Sequence, residues 1–403
     1  MLSEQSAAIV RATAPVVAEH AVEITSRFYP AMFEAHPELL RVFNQGNQAN
    51  GDQRKALAAS VVAYAVQLID PQAPPFQPVM DRIAHKHVSL GIRPEQYTIV
   101  GRYLMGAVAE VLGDAVTPEV AQAWDEVYWL FAVQLVAAEA RLYTALQVDV
   151  DHPWARYRVL DRIEEATDVV TFVLQPADGS AVPAHQPGQY VSVAVDLPDG
   201  GRQPRQYTVS SGHRPDTVQI TVRRLRGVDG APDGLVSTYL HEHVRAGDEL
   251  DVSAPTGDVV LDESERPLLL VSAGVGITPF AAMVDDLAST NPQRPVVLAH
   301  ADRSAAHHPL HALTAEAGAR LDHFTDHVWY EEPDGTAPER GARPGLMDLT
   351  ELPLPEDVQV YLCGPLPFMR DVRRQLLGRG VPPTAIRYEV FGPDLWAGTP
   401  DAA

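Results

Sequence analysis

His87, Tyr97 and Glu139 are polar residues at positions where helical periodicity calls for apolar ones. Around His87 the stripe runs Phe76, Met80, Ile83, Ala84, His87 and Val88, the spacing of one helix face. Around Glu139 it runs Tyr128, Phe131, Leu135, Glu139, Leu142 and Leu146, and Tyr97 shares a face with Val100, Gly101, Leu104 and Val108. A carboxylate on such a stripe is costly unless donors reach it. Hydrogen bonds linking His87 and Tyr97 to Glu139 would satisfy it, and would leave the second imidazole nitrogen for a metal. The plainer alternative is a core histidine satisfied by its neighbours, with Glu139 reaching solvent at a helix end. His85, two positions earlier, cannot share the inward face with His87.

Two earlier helical faces are candidates for the opposite wall. Tyr29 lies with Thr25, Met32 and Phe33, while Gln53, Leu57, Val61, Tyr64 and Leu68 form one stripe, with Phe43 at the turn between them. A buried Tyr and a buried Gln need partners, and a diatomic ligand on iron is one.

A second constellation is Arg205-Gln206-Tyr207-Thr208-Val209-Ser210-Ser211. As a strand it turns Arg205, Tyr207 and Val209 to one face and Gln206, Thr208 and Ser210 to the other. A phenol beside a guanidinium suits a flat heteroaromatic ring with a phosphate tail, although an ordinary polar strand face has the same pattern. Pro187-Gly188-Gln189-Tyr190 precedes it and Gly234-Leu235-Val236-Ser237-Thr238 follows. A third is Gly274-Val275-Gly276-Ile277-Thr278-Pro279, between a buried strand and a helix, where backbone amides can receive a pyrophosphate. It lacks the full GxGxxG spacing, and any tight strand-to-helix turn can use glycine.

The elements that must carry these residues fall into three stretches. From Ser3 to about Gln147 the pattern is helical throughout, punctuated by prolines such as Pro37, Pro71, Pro94 and Pro118. Between Val148 and Pro153 the character changes, and from Trp154 short alternating strands lie between Gly and Pro turns. From Pro267 strands and helices alternate: Leu268 to Val271, Pro279 to Ser289, Val296 to His300, a further helix, then Val358 to Leu362. That alternation implies a parallel sheet covered on both faces. The 403 residues, 46% apolar and 21% charged, suffice for two or three cores. A formal net charge of -22 argues against nucleic acid or an anionic membrane as partner. Cys363 is the only cysteine, so neither an intrachain disulfide nor a thiolate cluster is available. The N-terminal residues lack signal-peptide character, and the apolar window Pro267–Val284 is interrupted by Ser272, Gly274, Gly276, Thr278 and Pro279. A soluble, cytoplasmic protein without stable membrane association is expected.

Taken in order, several segments resemble the flavohaemoglobins, in which a globin precedes a ferredoxin-reductase-like flavoprotein. They are Phe43-Asn44 with Asn50 to Arg54, Lys86-His87 with Pro94 to Tyr97, Gly188-Gln189-Tyr190, Arg205 to Thr208, Ser272 to Pro279, Tyr361 to Pro365 and Tyr388 to Pro393. The resemblance implies an all-α globin domain at 1–147, an antiparallel β-barrel FAD-binding domain at 153–262 and a doubly wound α/β NAD(P)H-binding domain at 263–403. It implies haem b with His87 as iron ligand, Phe43 and Leu57 lining the pocket, and Tyr29, Gln53, Tyr97 and Glu139 as the catalytic groups. FAD falls to Tyr190, Arg205, Gln206, Tyr207, Thr208, Gly234, Val236, Ser237, Thr238, Glu389 and Phe391. NADH or NADPH falls to Gly274, Gly276, Ile277, Thr278, Pro279, Cys363, Gly364 and Pro365, with Asp302 suited to a ribose hydroxyl and Arg303 to a phosphate. The implied activity is nitric oxide dioxygenation, with NO and O2 as substrates of a monomer. An oxygen-binding or sensing globin with its own reductase is one alternative, and a haem-linked peroxide or alkyl hydroperoxide reductase another.

Overall fold

The computed structural model describes residues 2–43, 52–198, 201–227, 231–332 and 341–392, with backbone alone at 52–54. The chain divides into two compact units. One comprises Met1–Pro153, Pro198–Pro204 and Gly392–Ala403; the other comprises Trp154–Leu197 and Arg205–Phe391.

The first unit is built on helices α1 (Glu4–Ala35), α2 (Asp52–Ile69), α3 (Gln77–Leu90), α4 (Pro94–Leu112) and α5 (Pro118–Ala145). The Ser3 hydroxyl accepts from Ser6 N at 3.1 Å to start α1, and the Thr117 hydroxyl accepts from Val120 N to start α5. Pro94 and Pro118 occupy the first helical position, where a missing N–H costs nothing. α3 begins one residue later than the apolar stripe suggests, because Phe76 is its cap and sends its ring into the core. The stripes of α1, α3, α4 and α5 converge on Phe28, Met32, Phe76, Leu104, Phe131 and Leu135, each worth roughly 1.5–3 kcal/mol of burial. At the crossing of α4 and α5 a Cβ on Gly101 would lie 2.4 Å from the Tyr128 ring, so glycine sets how closely these helices approach.

Apart from strand residues 202–204, which fall in the first unit, the second unit holds two six-stranded sheets. β1 (Trp154–Ala166), β2 (Val169–Pro176), β3 (Tyr190–Asp196), β4 (Arg202–Thr208), β5 (Val218–Arg223) and β6 (Glu249–Ser253) run in the order β4-β3-β6-β1-β2-β5. Their registered pairs are antiparallel. The two edges meet again through the bridge Val209↔Ile220, which closes the sheet on itself. α6 (Leu235–His243) covers this barrel with Val236 and Leu240.

The second sheet comprises β7 (Leu268–Ala273), β8 (Val296–Asp302), β9 (Phe324–Tyr330), β10 (Arg343–Pro344), β11 (Gln359–Cys363) and β12 (Ile386–Glu389), ordered β10-β9-β8-β7-β11-β12 and parallel throughout. α7 (Thr278–Thr290), α8 (His311–Gly318) and α9 (Leu366–Gly378) supply crossovers. The order reverses between β7 and β11, and such a switch point opens a crevice at the carboxyl ends of the strands. Among the described residues no helix is long and apolar enough to cross a membrane.

Candidate functional site

α3, α4 and α5 bring His87, Tyr97 and Glu139 together. His87 Nδ1 lies 2.7 Å from Glu139 Oε1 and 2.9 Å from the Tyr97 hydroxyl, and that hydroxyl donates to Glu139 Oε1 at 2.5 Å. One carboxylate oxygen thus takes both contacts. Glu139 is 2% exposed and Tyr97 8%, whereas the His87 side chain retains 30%. Burial, reinforced by the Glu139 charge, pushes the Tyr97 phenol well above its usual value, so it remains a donor at any physiological pH. With Nδ1 facing an acceptor-only carboxylate, the proton sits on Nδ1 and Nε2 carries the lone pair. Nε2 has no hydrogen-bond partner among the described residues.

Two tyrosines that periodicity did not single out for this role brace the cluster. The Tyr128 hydroxyl donates to the Tyr97 carbonyl, and the Tyr143 hydroxyl donates to Ile92 O at 3.0 Å, just beyond the end of α3. Burial followed by the Glu139 charge raises the Tyr143 phenol. Tyr128 was legible as a stripe residue, but its hydroxyl partner is not a feature of spacing.

Tyr29 is 4% exposed on α1, and its ring meets those of Phe33 at 5.8 Å and Phe43 at 5.9 Å. Phe43 and Leu57 pack against the same core. The Gln53 side chain lies outside the described residues. Among the described residues no cluster of three or more His, Cys, Asp or Glu is arranged to hold a metal. An iron held at His87 Nε2 would therefore come as part of a prosthetic group rather than bound by protein side chains alone. The donor set fits that group: one imidazole with a fixed tautomer, and aromatic side chains around it.

In the barrel, Arg205 and Tyr207 lie on β4 and are close enough to interact electrostatically. Burial lowers the guanidinium and raises the phenol from their ordinary values. Gln206 Nε2 donates to Ser192 Oγ at 2.9 Å, on the other face of the strand. Tyr190 opens β3, and Thr208 ends β4, buried. α6 starts at Gly234 without a side-chain cap, leaving its first amides for an anion. Ser237 Oγ accepts from Leu225 N at 3.1 Å and donates to Gly234 O, whereas the buried Thr238 hydroxyl has no partner among the described residues. That orphan beside an uncapped helix start, together with the half-buried guanidinium on β4, fits a flavin nucleotide. Val236 is 1% exposed with its side chain in the barrel core, so only its backbone faces outward. Glu389 ends β12, and Phe391, two residues on, is 49% exposed.

The Gly274–Ile277 turn leads from β7 into α7, with Ile277, Thr278 and Pro279 buried. A Cβ on Gly276 would sit 2.6 Å from Cys363 O and 3.0 Å from Gly364 N. Glycine is thus what lets this turn close against the end of β11, where Gly364 and Pro365 lead into α9. The Cys363 side chain itself is fully buried among core residues and burial pushes its thiol up, so its backbone rather than its sulfur meets the turn. A residue that sequence reasoning passed over is Asp285, 4% exposed on α7. It accepts from Arg214 at 2.8 Å, Arg320 at 3.0 Å and Gly212 N at 2.9 Å, and so ties the barrel to the parallel sheet. Its signal was the same as that of Glu139, an acid on an apolar helix face.

The chain is similar to known proteins along almost its full length. A family model described as Globin matches residues 26–135, and one described as Oxidoreductase NAD-binding domain matches residues 270–374. A flavohemoprotein of Chromobacterium violaceum is 43% identical over 401 residues, covering 97% of this chain and 98% of the relative. The crystal structure of a flavohemoglobin from Malassezia yamatoensis, with bound FAD and heme, matches with a TM-score of 0.87 at 34% identity, covering 97% of this chain and 100% of that one. The FAD/NAD-binding domain of a nitric oxide dioxygenase from Vibrio cholerae matches 59% of this chain and 99% of its own, with a TM-score of 0.55 at 41% identity. Identity at this level, sustained from the helical unit through both sheets, means that the chain belongs to the flavohemoprotein family.

Proposed function

We propose that this chain is a nitric oxide dioxygenase that converts NO and O2 to nitrate with electrons from NADH or NADPH. The observation that carries this reading is the His87–Glu139–Tyr97 cluster, a buried carboxylate aimed at the far nitrogen of a candidate iron ligand. Haem b, when bound, would supply the iron chemistry, and FAD the means of passing the nucleotide's electron pair on singly.

The protein's own residues do the rest. His87 Nε2 would hold the iron, and Glu139, by accepting from Nδ1, would make the imidazole a stronger electron donor. Tyr97 fixes the direction of that carboxylate. Tyr29 on α1 is the donor that would stabilise negative charge on the ligand side, a role in which Gln53, whose side chain lies outside the described residues, would share, with Phe43 and Leu57 excluding water. Arg205 and Tyr207 with Gln206, Thr208 and Tyr190, and the α6 start from Gly234 to Thr238, orient FAD, while Glu389 and Phe391 flank it. Gly274 to Pro279 and the Cys363-Gly364-Pro365 segment hold the nucleotide. We take the haem domain as 1–147, the FAD domain as 153–262 and the nucleotide domain as 263–403. We infer a cytoplasmic monomer with no nucleic-acid partner, which the charge of -22 favours.

The purified protein is expected to show haem and flavin absorption in equal amounts and to consume NO, O2 and nucleotide together. Each hydride carries two electrons, so two NO molecules disappear per nucleotide. Binding of O2 without turnover would identify an oxygen carrier or sensor instead, and faster turnover on peroxide than on NO would identify a peroxide reductase.

A further inference from the structure

α5 takes hold of His87 at two places, one helical turn apart. Glu139 meets the ring, with Oε1 at 2.7 Å from Nδ1. Tyr143, four residues on and therefore on the same face, meets the backbone that follows. Its hydroxyl donates to Ile92 O at 3.0 Å, and Ile92 N in turn donates to the His87 carbonyl at 3.0 Å. Gly91 closes the same turn with left-handed dihedrals, φ 73° and ψ 35°, and its N–H points back to His87 O and Val88 O. The last carbonyls of a helix have no partners within it; here two of them are committed to a turn that α5 grips from outside. Tyr143 is 8% exposed, so its bond is sheltered from water.

The segment that joins α5 to β1 packs on that turn as well. A Cβ on Gly91 would lie 2.6 Å from Pro153 Cγ and 3.3 Å from Pro153 Cβ, so the pyrrolidine ring sits directly against the glycine. Arg93 Nη2 and Asp151 Oδ1 pair at 2.7 Å, an exposed contact that adds register more than energy. The segment is tied down locally: Val148 N donates to Tyr143 O at 3.0 Å, Asp151 N to Asp149 Oδ1 at 2.9 Å and His152 N to Asp149 O at 3.0 Å. Proline at its end fixes one more backbone angle. With the turn clamped by Tyr143 and by Pro153, the His87 Cα has little room to move, and the imidazole hangs from that Cα.

We propose that Tyr143 and Pro153 are positioning residues for the candidate iron ligand, fixing the His87 backbone through the turn at residues 91–93 so that its ring meets Glu139 at hydrogen-bond distance. Ring partner and backbone support are separate requirements. A charge-assisted bond of this kind is short, so a small drift of the backbone lengthens it and lowers the electron donation available at Nε2. The proposal rests on the reading of His87 as iron ligand, and extends its support from the three clustered side chains to a segment beyond α5.

Resonance Raman spectra of the ferrous, haem-loaded full-length protein test it, because the iron–histidine stretching band reads donation from the ring and needs no turnover. Tyr143→Phe keeps the aromatic ring and removes the donor. Pro153→Ala removes Cγ and Cδ at a half-buried position and is the milder change. Both are expected to shift the band to lower frequency, by less than Glu139→Gln does, since that variant loses the charge itself. A role in folding alone would lower the melting temperature and leave the band in place; an unmoved or upward-shifted band in either folded variant overturns the proposal. Should Tyr143→Phe fail to fold or to hold haem, the Pro153→Ala spectrum decides by itself. A wild-type protein that takes up haemin but shows no iron–histidine band removes His87 as the ligand, and the proposal with it. A normal wild-type band that stays unmoved in the variants overturns the proposal alone.

Discussion

Replacing Glu139 separates the structural from the electronic work of the cluster beneath His87. Its Oε1 alone receives both contacts, from His87 Nδ1 at 2.7 Å and from the Tyr97 hydroxyl at 2.5 Å, with the carboxylate 2% exposed. Glu139→Gln keeps the shape and one acceptor oxygen but removes the charge, so two charge-assisted bonds become neutral ones. The stability loss should be about 1–2 kcal/mol, roughly the difference between charged and neutral hydrogen bonds, offset by relief of a buried charge. Glu139→Leu keeps the volume; His87 Nδ1 can still donate to the Tyr97 hydroxyl 2.9 Å away, but the Tyr97 proton loses its buried acceptor, so it should cost about 1–3 kcal/mol. Urea unfolding of the full chain, followed through the absorption of the helical unit, measures both. Electronically the two variants should look alike: lower NO turnover by about tenfold or more, with NADH-dependent reduction of an artificial acceptor at the flavin unchanged. A Glu139→Leu protein with wild-type stability and turnover would refute the reasoning, because then neither the Tyr97 hydroxyl nor the imidazole depends on the carboxylate.

Arg205→Ala removes the half-buried guanidinium of β4 and is expected to weaken FAD by about 1.5–3 kcal/mol, with haem content untouched; flavin retained through dilution and gel filtration would contradict this. Gly276→Ala puts a methyl group 2.6 Å from Cys363 O, a backbone atom that cannot swing away, so a loss of about 1–3 kcal/mol is expected, together with weaker binding of ADP-ribose; wild-type melting and affinity would show that the turn is looser than described. Burial, and after it the charges of His300 and His311, hold the His308 imidazole far below its ordinary value. The unfolded chain takes up this proton below about pH 6.5 and the folded one does not, so stability is present above that pH and falls below it by up to about 1.4 kcal/mol per pH unit. Urea midpoints between pH 7.5 and 5.5 should therefore drop more steeply in the wild type than in His308→Asn; identical slopes would remove His308 from the acid response.

Much of this was legible locally. A period of 3.6 residues marks one face of a helix wherever that helix packs, so the stripes carrying His87, Tyr97 and Glu139 declared themselves before any tertiary contact was known. Alternation at period two did the same for β4, and the change from helical pattern to short strands and then to alternating strands and helices announced the order of the architecture. A single polar residue on an apolar stripe says that a partner exists. It does not say which one.

Partner identity belongs to the tertiary structure, because it depends on distances between segments far apart in the chain, and periodicity carries no information about those. That Glu139 offers one oxygen to both His87 and Tyr97, that Tyr128 and Tyr143 brace backbone carbonyls beside them, and that Asp285 gathers Arg214, Arg320 and Gly212, are outcomes of how helices and sheets cross. The three histidines His300, His308 and His311 read as unremarkable polar residues in the sequence; His300 stacks on His308, and His311 meets His308 at a tilt, only because β8 ends where the chain turns into α8. Spacing along the chain determined which side chains face inward; packing alone decided what they meet there.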